Sequence, residues 1–118
     1  MPTNFGGSVV TTDATPTPIN LFLLETGKLY QIDLRLLARA DDGTCWSLRV
    51  LRSGKFIGAG PPVLIGTPPA PLINNKEVAA AAWAANPGID ANNLLLVEVT
   101  GAAGLVIHWQ ISGMFDAV

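Results

Sequence analysis

Few side chains in this sequence have the chemistry of catalysis or metal binding. There is one histidine, His108, one cysteine, Cys45, and nine acids, two of them adjacent at Asp41-Asp42. A catalytic histidine needs a nucleophile or carboxylate within hydrogen-bond reach, and a metal site needs several ligands that converge. With no second histidine, a metal would depend on carboxylates or Cys45, and none of these stands at a ligand spacing. Strand alternation puts His108 on the face opposite Trp109, beside Val106 and Gln110, which reads as an exposed or interface histidine. Cys45 has no histidine or helix start near it in sequence to activate it as a nucleophile and reads as a buried, inert thiol. Asp41-Asp42-Gly43 is turn chemistry, while Asp90 and Asp116 fall in a loop and the tail. "GKFIGAG" at 54–60 lacks the Gly-Lys-Ser/Thr ending and the following helix of a phosphate loop. No catalytic, cofactor-binding or metal-ligating residue is assigned, and no enzymatic activity or cofactor is expected.

The aromatic and basic residues suit contact rather than reaction. Trp46 alternates with Leu48 and Val50, and Trp109 with Ile107 and Ile111, so both read as core. Trp83, set among alanines, is the tryptophan with the best claim to exposure as a sugar-stacking platform, although core is the preferred reading. Arg35, Arg39 and Arg49 fall on outward strand positions. Cross-strand register can cluster them with Asp33, and in a chain that is only 14 % charged they are the natural polar contacts to an acidic partner surface.

The elements that must position these residues are strands. In "KLYQIDLRLLARA", 28–40, Tyr30, Ile32, Leu34, Leu36 and Ala38 share one face, while Gln31, Asp33, Arg35 and Arg39 share the other. "DDG" then turns the chain into "TCWSLRVLRS", which completes a long hairpin. A strand over about 18–24 leads through Thr26-Gly27 into it as a second hairpin-like turn, and "SGK" at 53–55 reads as a further turn. The segment 60–71 is rich in proline, which lacks a ladder donor, so only Val63–Ile65 is expected to pair there. A third hairpin is expected from "NNLLLVEVTG" through "AAG" to "LVIHWQISG". In "NNKEVAAAAWAANPG", 74–88, alanine content argues for helix and the neighbouring strands argue for strand; strand is the expectation. The sum is an all-β protein, an antiparallel two-sheet sandwich of jelly-roll or flattened-barrel type. Residues 1–10 form a short N-terminal arm and the start of the first strand, and 11–118 form a single domain.

Composition narrows the function classes. The net charge is −2, and the seven Lys and Arg are dispersed, so there is no basic field to draw in nucleic acid. No apolar run approaches a membrane span, and the N-terminus lacks the charged and apolar regions of a signal peptide, so neither membrane insertion nor secretion is expected. A hydrophobic content of 49 % leaves few charges to cover the surface of a monomer, which favours association.

"TTDATPTPI" at 11–19, "RLLARADDGT" at 35–44 and "VEVTGAAGLVIHWQI" at 97–111 together resemble a small β domain of tailed-bacteriophage virion proteins, over about 11–111. That pattern carries Asn where this chain has His108, which speaks against a role for the histidine, and it has fewer prolines over 60–71. A free-standing domain of this kind resembles a capsid cement or decoration protein. The resemblance implies a homotrimer bound to the major capsid protein on the virion surface, made in the host cytoplasm, with no nucleic-acid or membrane partner. The contacts expected are the arm residues Pro2 and Phe5, the arginines Arg35, Arg39 and Arg49, and Pro61 and Pro62 of the proline-rich stretch. The alternatives are a tail or tail-fibre component of the virion and a carbohydrate-binding β-sandwich module.

Overall fold

The computed structural model describes residues 2–118 and consists of two antiparallel sheets packed face to face. The larger sheet takes β1 (Thr3–Thr11), β9 (Ile107–Ala117), β3 (Lys28–Ala40), β4 (Cys45–Phe56) and β5 (Val63–Ile65), in that spatial order. β6 (Ile73–Lys76) pairs β4 beyond the end of β5. The smaller sheet runs β2 (Thr17–Leu23), β8 (Leu94–Thr100), β7 (Ala84–Ile89).

Only one of the three expected hairpins pairs as such. β3 and β4 form a ladder from Lys28↔Phe56 to Arg39↔Cys45. At their turn Gly43 adopts φ +94°, open to glycine at little cost, and the Asp42 carboxylate accepts the Thr44 N–H at 2.9 Å. The turn at Thr26-Gly27 instead carries the chain from the small sheet to the large one, and so does the turn at 101–104. β9 therefore leaves β8 and lies between β1 and β3. Its inward residues Ile107, Trp109 and Ile111 are all buried, and a central strand of the larger sheet is where such a row is covered best.

Three further expectations are corrected. The stretch expected as an arm is the edge strand β1, paired with β9 from Thr3↔Phe115 to Thr11↔Ile107, while Met1 lies outside the described residues. "SGK" is no turn, because β4 continues through it and Gly54 packs in the strand against Leu24 and Leu64. In 74–88 neither reading holds throughout. Ile73–Lys76 and Ala84–Ile89 are strands, and the alanines between them manage a single 3₁₀ turn, Val78–Ala80.

The core is layered along the sandwich. Phe5, Phe22, Tyr30 and Phe115 cluster at one end, with Phe22 stacked on Phe115 at 4.2 Å between centroids. The aliphatic middle includes Ile32, Leu34, Leu36, Leu95, Val97 and Ile111. The other end holds the three tryptophans around Trp109, which lies 6.2 Å from Trp46 and 5.8 Å from Trp83. Two indoles are also fastened by hydrogen bonds: Trp109 donates to Thr11 Oγ1 and Trp46 to Asn74 Oδ1, each at 2.9 Å. The Trp83 indole N–H has no hydrogen-bond partner among the described residues, so packing holds that ring. At the seam between the sheets β1 runs so close to β2 that a Cβ on Gly7 would meet Ile19 Cγ2 at 2.8 Å. Glycine at that position lets the two sheets approach closely on this side.

Candidate functional site

Alternation sends every second residue of the large sheet to its outer face, and aligned register assembles them into cross-strand rows. One row reads Val10, His108, Arg39, Cys45 from β1 to β4; the next reads Ser8, Gln110, Leu37, Ser47, Asn75 and extends to β6. Together these rows line a trough of about 1270 Å³ across the tryptophan end of the sheet. Leu37, 60 % exposed, and Val10, 53 % exposed, are its apolar floor, with the amides and hydroxyls of Ser8, Gln110, Ser47 and Asn75 around them.

The structure brings His108 and Asp41, far apart in sequence, to one rim of the trough. His108 Nε2 lies 3.0 Å from Asp41 Oδ1, and Arg39 Nη1 reaches the same oxygen at 4.0 Å. Register places Arg39 between His108 and Cys45, which are therefore two strand spacings apart, about 10 Å. The thiol donates to its own turn, at Gly43 O, 3.3 Å away. A histidine with an orienting carboxylate but no nucleophile beside it makes a polar clasp between β9 and the β3–β4 turn. Cys45 is exposed, contrary to the buried thiol expected, because the β3–β4 register turns it outward opposite Arg39. Among the described residues no group of three His, Cys, Asp or Glu converges as metal ligands.

Below the trough, Arg49 donates from Nε and Nη2 to both carboxylate oxygens of Asp33, at 3.0 and 2.8 Å, and Arg35 stands 3.6 Å from the same group. This two-point grip from Arg49 holds the Asp33 carboxyl below the usual carboxylate range. On the far side of β4, Lys76 lies over the Trp46 ring, 4.2 Å from its centroid, and donates to the Trp83 carbonyl. Burial pushes its ammonium pKa down.

The contact residues expected from sequence separate accordingly. Pro2, Arg35, Arg39 and Pro61 are exposed. Arg49 is half-buried and committed to Asp33. Phe5 and Pro62 turn inward, Phe5 because it completes the aromatic cluster with Phe22 and Phe115. Trp83 is only 2 % exposed, and no aromatic ring among the described residues is exposed. Sequence reading missed the trough floor. Its signal was the Leu36-Leu37 doublet, which breaks the alternation of β3 and puts a leucine on the polar side. No protein-family model and no curated protein matches this sequence.

Proposed function

We propose that this chain is a bacteriophage virion structural protein, a capsid cement protein. In this reading it assembles as a homotrimer and stabilises the head by binding the major capsid protein lattice. The observation that carries the contact role is the outer face of the large sheet. Besides Val10 and Leu37 it presents Leu51, Ile73 and Met114 to solvent, at 37 to 40 % exposure, between paired charges. Aliphatic side chains set among satisfied ion pairs suit burial against another protein surface, where area is gained without stranding a charge. The capsid assignment itself rests on the resemblance over 11–111.

The shape supports the same reading. The radius of gyration is 14.6 Å, with extents of 46 × 26 × 24 Å, against about 13.5 Å for a typical domain of this length. The accessible surface is 6555 Å², where a monomer of 12.4 kDa averages about 6100 Å². An elongated protomer with surplus surface recovers stability by burying it, at about 800 Å² per partner in a standard contact. Quantitative mass spectrometry of purified virions tests the assignment. Hundreds of copies per particle support a cement protein, whereas a few copies would place the chain in the tail and overturn it.

A further inference from the structure

Two features of the molecule lack a partner. One is the trough, with exposed Leu37 and Val10 on its floor. The other is the proline segment "TPPAPL", 67–72, which is exposed throughout and belongs to no strand. Among the described residues, 67–71 make no hydrogen bond within the chain; the first to do so is Leu72, whose N–H donates to Arg49 O at 2.8 Å. We infer that the trough is a docking groove for the 67–72 segment of a second copy of this chain.

The chemistry of the two surfaces is complementary. Pro68, Pro69 and Pro71 have no N–H, so the segment offers apolar rings and bare carbonyl acceptors, in a stretch that favours the extended polyproline conformation. The trough offers an aliphatic floor together with donors, the amides of Asn75 and Gln110 and the guanidinium of Arg39. The lengths agree as well. Six residues, 67–72, at about 3.1 Å each reach about 19 Å. The trough crosses β1, β9, β3, β4 and β6, four spacings of about 4.8 Å, or about 19 Å. An aromatic-lined groove, the usual receptor for such a segment, is not what this chain presents, since its rings are buried or half-buried. The aliphatic, donor-rimmed trough serves in its place.

The segment cannot enter the trough of its own chain. It is pinned at both ends to β4, at Ile65↔Ser53 and at Leu72–Arg49, on the outer edge of the sheet. Contact is therefore between copies and joins two different patches, a head-to-tail arrangement that closes into a ring when the rotation allows. The inference does not rest on the capsid reading, because it concerns the isolated protein.

The single native cysteine makes the test direct, since Cys45 is exposed and lines the trough. In the otherwise native full chain, Ala70→Cys places a second thiol on the proline segment. Copper-catalysed oxidation is expected to yield covalent trimers or larger species in which Cys45 of one copy is joined to the introduced thiol of the next, identified by peptide mapping. Products no larger than dimers, or joined only through like cysteines, overturn the inference. Sedimentation of the protein without oxidant supplies the second readout. Leu37→Arg, and separately Pro68→Gly with Pro71→Gly, are each expected to weaken assembly about tenfold or more. Mixed together they form a one-to-one dimer, because one intact trough meets one intact segment. Wild-type protein that stays monomeric when concentrated, with its trough protected from hydrogen exchange only on addition of capsid shells, would make the capsid the occupant and overturn the proposal.

Discussion

Beyond its ladder with β9, the edge strand β1 is tied to the core by a buried side-chain hydrogen bond, from Trp109 Nε1–H to Thr11 Oγ1, 2.9 Å long, between residues that are 1 % and 3 % exposed. Thr11→Val keeps the side-chain shape and removes the acceptor. The indole N–H is then left buried without a partner, at a cost of about 1–3 kcal/mol. The added methyl regains part of that by apolar burial, so a net loss of about 1–2 kcal/mol is expected. For 118 residues the unfolding entropy is about 0.25 kcal/mol per kelvin, so a loss of about 1.5 kcal/mol lowers Tm by about 6 °C. Urea unfolding followed by tryptophan fluorescence measures the change, and a double-mutant cycle with Trp109→Phe isolates the bond. In the Trp109→Phe background there is no donor to orphan, and Thr11→Val is expected to cost less than about 0.5 kcal/mol. Equal costs in both backgrounds would refute the bond as the source of the loss.

Other consequences are equally specific. Gly113→Ala is expected to destabilise by more than about 3 kcal/mol or to prevent folding, since its Cβ would collide with Asp33 O and sit 2.8 Å from Phe5 Cζ; thermal unfolding or soluble yield reads this. Arg49 lowers the Asp33 pKa, so the stabilisation is present above the unfolded value of about 3.9 and is lost as pH falls through the lower folded value. Asp33→Asn is therefore expected to be less stable than wild type at about pH 7, with the gap closing below about pH 4 in acid titrations of unfolding free energy. Lys76→Met keeps the cover over Trp46 but loses the donor to the Trp83 carbonyl, and limited proteolysis is expected to cut faster within 77–83 while overall stability falls by about 1 kcal/mol.

Residues near the site show how far local information reached. Alternation over 28–40 and the Asp-Asp-Gly turn announced β3 and β4 and aimed Asp33, Arg35, Arg39 and Arg49 outward, as observed. Cys45 was legible as a strand residue, and alternation with the inward Trp46 already aimed it outward with Ser47 and Arg49; the buried expectation followed the usual burial of cysteine instead of its strand position. His108 was legible as outward-facing; its partner Asp41 was not, since the pair exists only because β9 lies beside β3. Strand β6 falls mostly within the strand expected over 74–88, but its short extent and its pairing with β4 were not legible, because Ile73–Lys76 has little β propensity of its own and pairs through backbone groups.

What the sequence determined by itself was periodicity and punctuation: which residues face inward along each strand, where the chain turns, and hence an all-β sandwich. Those follow from steric and hydrophobic preferences over a few neighbours. Which strands pair was decided only in three dimensions. A turn has much the same local chemistry whether it closes a hairpin, as at Gly43, or crosses between sheets, as at Gly27 and Gly104. The choice is made by burial of whole rows such as Ile107, Trp109 and Ile111, and the trough on the opposite face is a product of that choice.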